Sequence, residues 1–256
     1  MPREPFKKSP DYLSKKNIIT GRNPVTEALR GDAKIDKLLL YKNASGDSIN
    51  EIKRLAKAKN IPVQYVPNEK LNSLTNILHQ GIIAFKSSVT YTDLQQTIDF
   101  VNSKGEPALL LMLDGITDVR NIGAIARTAL CYGVHAIIIP EKGVGALQED
   151  AMKSSAGALE QIMICRVRHL LDGIETLQLN GISIFASAMN GAKKLDEMYF
   201  RDPCCIVMGN EGTGIQQTVE NKADTTFFIP MNKRFDSLNV SVAAGIILYE
   251  AGKQRS

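Results

Sequence analysis

The stretch ALLLMLDGITDVRNIGAIARTALCYGV, residues 108–134, decides the fold class. It opens on a continuous apolar run rather than an alternating one. Such a run suits a strand buried on both faces, as in a parallel sheet covered by helices. A polar loop follows, and then Ile122, Ile125, Ala126, Ala129 and Leu130 recur at helical spacing to form one apolar stripe. Strand, loop and helix in that order are half of a βαβ unit, so the reading is α/β.

The same pattern extends outward from this stretch. Further strands are expected at 135–140, 162–168, 182–188, 204–209 and 225–231, with helices at 122–132, 150–160 and 238–251. Upstream, PVTEALRG (24–31) reads as a helix with Pro24 in its first turn and Gly31 past its end. Then come a strand at 35–41, a helix at 48–60 capped by Ser48, a strand at 62–66, a short helix near 68–76 and an apolar strand at 81–85. The expected organisation is a disordered basic tail (1–16), a small three-layer α/β domain (17–88), a linker with a connecting helix (89–106) and a larger α/β domain (107–256).

Composition narrows the function classes. The chain of 256 residues is 44% apolar and 23% charged, and no apolar run reaches the length of a membrane span. The N-terminal residues are basic and polar without an apolar core, so no signal peptide is expected and the protein reads as cytoplasmic. The four cysteines (131, 165, 204, 205) form no C-x-x-C pair and read as buried reduced thiols. His79, His135 and His169 show no metal-ligand spacing, and no metal is expected. Residues 1–90 hold 16 Lys/Arg against 8 Asp/Glu, whereas residues 91–256 hold 15 against 19. A basic front half joined to a mildly acidic back half suggests one part that grips a polyanion.

Three stretches could carry chemistry, each at the C-terminal end of an expected strand, where open α/β sheets bind ligands. In the opening stretch, Asn121 stands at the helix mouth and Arg127 lies off the apolar stripe. In CCIVMGNEGTGI (204–215), a glycine-dense turn lets backbone approach a ligand closely. Its order G-x-x-G-x-G is neither the dinucleotide fingerprint nor a P-loop, and Glu211 within it would repel a phosphate. In FFIPMNKRFDSLNVSVAAGIILYE (227–250), Ser237 and Asn239 open a helix with Ser241, Ala243, Ala244 and Gly245 in its first two turns. Taken singly, the three read equally well as a capped helix, a structural turn and a core helix with ordinary caps.

Together and in this order, N-I-G-A-I-A-R (121–127), M-G-N-E-G-T-G (208–214) and I-P-M followed by D-S-L-N-V-S-V-A-A-G-I closely resemble the three motifs of the SpoU family. KSSAGALE (153–160) is similar to its intermotif segment. The front half, with I-x-x-G-x-N-P-V-x-E-A-L (18–29) and H-Q-G-I-I-A (79–84), looks like the substrate-binding domain of that family's large-subunit ribosomal RNA guanosine methyltransferases. That domain is of the ribosomal-protein type that grips bent RNA. The chain departs from the pattern at Asn232 and Lys233, where the family places a small residue and a glycine.

The resemblance implies a trefoil-knot (SPOUT) methyltransferase domain that works as a homodimer. It implies transfer of a methyl group from S-adenosylmethionine to a ribose 2′-hydroxyl of RNA. Arg127 would be the main catalytic residue, Asn121 and Glu211 would orient it and the nucleotide, and Ser237 and Asn239 would complete the site. Gly209, Ile229 and Leu238 match the positions whose backbone holds the cofactor, with Ala186 and Ser187 ending a strand that faces the same pocket. A transfer RNA methyltransferase of the same family, and a non-catalytic RNA-binding or ribosome-assembly factor, are the alternatives. A sister group within the family methylates adenosine.

Overall fold

The computed structural model describes residues 18–31, 33–59, 61–87, 89–145, 147, 149–232 and 237–256. The expected basic tail and Lys233 lie outside these residues. The chain divides after Ser87 into two compact units.

The first unit contains β1 (Ile18–Thr20), α1 (Arg22–Arg30), β2 (Ile35–Tyr41), α2 (Asp47–Ala58), β3 (Val63–Val66), α3 (Asn68–Asn72) and β4 (Ile82–Lys86). Its sheet has the order β1-β4-β2-β3, with β2 parallel to β3 and antiparallel to β4. The alternation of β2 sends Leu38 and Leu40 to one face, against Val25 and Leu29 of α1 and Ile49 and Ile52 of α2. Leu39 points the other way, to Leu71, Ile83 and Phe85. Each fully buried leucine or isoleucine contributes roughly 1.5–3 kcal/mol. Ser48 does not cap α2: Gly46 occupies the cap position, and the Ser48 hydroxyl instead accepts a hydrogen bond from Arg22.

The second unit contains β5 (Tyr91–Thr92), α4 (Leu94–Ser103), β6 (Leu109–Leu113), α5 (Val119–Cys131), β7 (Ala136–Pro140), α6 (Glu149–Ser155), α7 (Ala158–Gln161) and β8 (Met163–Val167). It continues through α8 (Leu170–Leu179), β9 (Ser183–Ser187), β10 (Lys193–Lys194), β11 (Cys204–Met208), α9 (Gln217–Glu220), β12 (Thr225–Phe228) and α10 (Val240–Arg255). The eight strands pair in the order β10-β12-β9-β11-β6-β7-β8-β5, every pair parallel. In β6, Leu109, Leu111 and Leu113 face the layer of α5 and α10, while Leu110 and Met112 face that of α4 and α8. The unbroken apolar run of β6 is the signature of these two cores.

Several expectations need correction. Residues 89–106 are no linker: β5 pairs with β8, and Leu94, Ile98 and Val101 of α4 lie in the second unit's core. The helix expected over 150–160 is broken in two at Ala156 (φ 49°) and Gly157 (φ 86°). Of the cysteines, Cys131 is exposed, whereas burial pushes the Cys204 thiol up to about 11 and those of Cys165 and Cys205 upward as well. Finally, the small residues of α10 are not all packed tightly within the chain. A Cβ on Gly252 would stand 2.9 Å from the Tyr132 ring, but one on Gly245 would meet no described atom within 4 Å.

The last turn of α10 is tied down by Arg255, whose guanidinium donates to the carbonyls of Phe200, Pro107, Ala108 and Asp202. Although Val240, Ala244, Ile247, Leu248 and Ala251 bury one side of this helix, Val242, Ile246 and Tyr249 stand exposed on the other. A helix apolar on both sides has a face that its own chain leaves uncovered. Among the described residues no helix is long and apolar enough to cross a membrane, and no group of three or more His, Cys, Asp or Glu could hold a metal ion.

Candidate active site

The chain reverses direction across the sheet between β8 and β9: β7 and β8 lie on one side of β6, and β9 and β12 lie on the other, beyond β11. The carboxyl ends of β9, β11 and β12 border a cleft of about 360 Å³. This is within the range of small-molecule sites, about 300–1,000 Å³.

One wall is the turn that follows β11. Asn210 and Gly214 exchange backbone hydrogen bonds of 3.0 and 2.8 Å, and the Asn210 side chain accepts from Gly212 N at 2.8 Å. That side chain also donates to the Gly115 carbonyl at 2.9 Å, which fixes the turn to the loop after β6. A Cβ on Gly209 would lie 2.2 Å from the Gly214 carbonyl carbon and 2.3 Å from Ile215 N, so only glycine fits. Behind the turn the Asp114 carboxylate, 1% exposed, accepts from Gln216 N at 2.7 Å and from the Gln216 side-chain amide. Pairing with both donors offsets the cost of burying that carboxylate.

At the tip of the turn, Glu211 joins two helix mouths. Its Oε1 accepts from Asn121 Nδ2 (3.1 Å), Asn239 Nδ2 (2.6 Å) and Val240 N (3.0 Å). Asn239 Nδ2 also donates to Asn121 Oδ1 at 3.1 Å, while its own Oδ1 caps α10 by accepting from Ser241 N and Val242 N. A carboxylate beside the N-termini of two helices is favourably placed against both dipoles. The cap of α5 is Asp118, not Asn121: its carboxylate accepts from Arg120 N at 2.9 Å. That bond is the main cause holding the Asp118 carboxyl below its usual range, and the Arg120 charge adds to it.

Asn121, Glu211 and Asn239 are thus brought together, and Gly209, Ile229, Ser237, Leu238 and Ser187 line the adjoining cleft. Two of the expected site residues are not gathered there. Ala186 is fully buried and faces the opposite core with Ile184 and Val207, because alternation along β9 sends it away from the cleft. Arg127 is exposed on α5, six residues beyond Asn121, which is about 9 Å along the axis and about 120° around it. It makes no hydrogen bond or ion pair to a described residue, so neither Asn121 nor Glu211 holds it.

Sequence reasoning missed Met189, Asn190 and Met231 in the lining and the Asp114–Gln216 pair behind it. The signal for Asp114 was available: an acid set directly on the end of an apolar strand. Met189 and Asn190 lie just past the end of β9, beside Ser187, its last residue.

The lining combines apolar side chains (Met189, Ile229, Met231, Leu238, Val240) with backbone at Gly209 and Gly212 and two carboxylates, Glu211 and Glu220. A flat heteroaromatic ring with a hydroxylated, cationic appendage suits this set, whereas a polyphosphate does not.

Comparison with known proteins fits this chemistry. Residues 108–249 match the SpoU rRNA Methylase family, and residues 18–92 match the RNA 2′-O ribose methyltransferase substrate-binding domain. A Bacillus subtilis (strain 168) protein, YacO, whose name places it in the TrmH family of tRNA/rRNA methyltransferases, is 33% identical over 240 residues, covering 94% of this chain and 96% of that protein. A Staphylococcus saprophyticus protein named in the same way is 36% identical over 239 residues, covering 93% of this chain and 96% of its own. Among solved structures, the SpoU methyltransferase AviRb of Streptomyces viridochromogenes, in complex with AdoMet, shares the fold with a TM-score of 0.59. It is 24% identical, over 93% of this chain and 89% of that one. The chain belongs to the SpoU rRNA methylase family.

Proposed function

We infer that this SpoU-family protein transfers a methyl group from S-adenosylmethionine to the 2′-hydroxyl of a ribose in RNA. The observation that carries the reading is the joining of Asn121, Glu211 and Asn239, one from each of three distant motifs, at the rim of a mainly apolar cleft. The cofactor would lie in that cleft, against backbone at Gly209, Ile229 and Leu238, with Ser187 at the strand end. When bound it supplies a methyl group on a sulfonium, already activated for displacement, so much of the acceleration comes from positioning.

The protein's own task is to place the ribose and to stabilise the oxygen as it loses its proton. Glu211 and the two asparagines hold the mouths of α5 and α10 in register, and Ser237 offers a hydroxyl at the rim. Arg127 binds the phosphate beside the target ribose and stabilises the developing alkoxide. Arginine keeps its proton in proteins, so it acts as a fixed cation with two parallel donors and not as a base; the proton leaves through phosphate or water. Bonding no described residue, it is available for that phosphate.

The target that fits best is a guanosine of large-subunit ribosomal RNA, with the protein working in the cytoplasm. The first unit, basic and of the ribosomal-protein type, supplies most of the salt-dependent grip on that RNA. The second unit forms a trefoil knot, the fold expected of this family. It pairs as a homodimer through the exposed side of α10. Val242, Ile246 and Tyr249 recur there at helical spacing, and the open space at Gly245 lets a second helix approach.

The test is transfer of labelled methyl to unmodified ribosomal and transfer RNA side by side, with S-adenosylmethionine titrated separately. Label in one large-subunit nucleotide is the expected result. Label in transfer RNA alone would move the target, and failure to bind the cofactor would favour a non-catalytic assembly factor.

A further inference from the structure

The first unit has a cleft of its own, about 650 Å³, lined by Arg22, Asn23, Tyr41, Asn43, Asn68 and Gln80 together with small residues. Its chemistry differs from that of the second unit's cleft. Carboxamides and one guanidinium line it, and no carboxylate is among its described lining residues.

Arg22 is set in place before any ligand arrives. Its Nε donates to the Gln80 carbonyl at 3.2 Å, and its Nη1 donates to the Ser45 carbonyl at 3.1 Å and the Ser48 hydroxyl at 3.3 Å. Its backbone N donates to Gln80 Oε1 at 3.0 Å. The other terminal nitrogen, Nη2, bonds no described residue. A guanidinium held at two of its nitrogens, with the third unbonded to any described residue, suits an anionic oxygen.

The segment that holds Arg22 is strained. Gln80 has φ 51°, a left-handed conformation uncommon for a residue other than glycine, asparagine or aspartate. It is locked from beneath by His79, 8% exposed, whose Nδ1 accepts from Gly81 N at 3.0 Å and whose Nε2 donates to Asn72 Oδ1 at 2.8 Å. Strain of this kind persists where the surroundings over-determine it, and it gathers at binding sites. Here it turns Gln80 toward Arg22 and leaves the Gln80 amide nitrogen without a described partner.

The remaining polar groups are equally unspent. The side chains of Asn23 and Asn68 bond no described residue, so their donors and acceptors are available to a ligand. Tyr41 is half-buried, with its hydroxyl accepting from Asn43 Nδ2 at 3.2 Å. Carboxamides read the edges of nucleobases, an aromatic ring stacks on their faces and a guanidinium takes the phosphate. An unstacked nucleotide of single-stranded or bulged RNA offers all three at once, and a paired one does not.

We propose that this cleft is where the first unit takes hold of RNA. It receives one unpaired nucleotide, with Arg22 on the phosphate, the amides of Asn23, Asn68 and Gln80 on the base edge, and Tyr41 on the base face. The inference rests on the reading of the chain as an RNA methyltransferase and adds the site by which it chooses its RNA.

The test uses the full chain and two variants, Asn23→Ala/Asn68→Ala and Tyr41→Leu, titrated with a large-subunit ribosomal RNA transcript and, separately, a transfer RNA transcript. The two asparagines make no described bond, so the double variant should keep the wild-type thermal midpoint and S-adenosylmethionine affinity. It should bind the methylated RNA about tenfold more weakly or worse. RNA carrying 4-thiouridine should crosslink to wild-type peptides containing Tyr41 or Asn68. Unchanged RNA affinity in both variants, or first-unit crosslinks confined to peptides away from the cleft, would overturn the inference while leaving the methyltransferase reading intact. A wild-type chain that neither binds nor methylates either RNA would overturn that reading, and this inference with it.

Discussion

At the mouth of α5, Asn121 is bonded to Glu211 and Asn239, so three motifs close on one another without outside help. Farther along the same helix, Arg127 is exposed and bonds no described residue, and α10 likewise carries an exposed apolar side. The difference separates two kinds of function on one scaffold. The mouth is finished by folding and holds the rim of the cleft in shape. In the function proposed, the outer positions are finished by what arrives, RNA phosphate for Arg127 and a second copy for α10.

Substitutions at the two places should therefore fail differently. The largest effect belongs to Arg127→Ala: methyl transfer should fall by about 10²–10³, with thermal midpoint and cofactor affinity unchanged. A lower midpoint would show that Arg127 is structural. Gly209→Ala should cost roughly 10² in transfer through displacement of the turn, because the added Cβ overlaps the backbone at Gly214 and Ile215. Here cofactor affinity should fall too, and calorimetric titration checks that.

Glu211→Ala should act on both properties. Losing the shared acceptor frees Asn121, Asn239 and Val240 N, at a stability cost of about 1–2 kcal/mol. Transfer should drop alongside the thermal midpoint, whereas Glu211→Gln, which keeps an acceptor oxygen, should recover most of the midpoint. Equal midpoints for the wild type and Glu211→Ala would erase the contrast with Arg127. The smallest effect on the fold of one subunit among the interface and rim variants is expected from Ile246→Asp, on the open side of α10. Sedimentation should show a monomer with a near-native midpoint, and an unchanged dimer would place the interface elsewhere.

Much of this fold was legible because its determinants are local. The apolar runs at 109–113, 136–140 and 204–208 are strands buried on both faces, and periodicity reports that directly. The linker reading failed because α4 buries a threonine, Thr97, in its stripe and β5 is only two residues long, so neither gave a clear pattern. The site was legible in a different way. Glu211 meets Asn121 and Asn239 across 90 and 28 residues, contacts that no local rule encodes and that only the likeness of whole motifs suggested. Ala186 was misassigned for a local reason: adjacent residues of a strand point to opposite faces, and only Ser187, at the strand's end, borders the cleft.

Where the methyl group lands on the RNA separates ribose from base methylation most directly. Labelled methyl from S-adenosylmethionine should be transferred to RNA by the wild-type chain, and the product then hydrolysed in alkali. A methylated 2′-oxygen blocks cleavage of its own phosphodiester, so the prediction is label in a single alkali-resistant dinucleotide, absent with Arg127→Ala. Label released entirely in mononucleotides would place the methyl on a base and contradict the ribose reading.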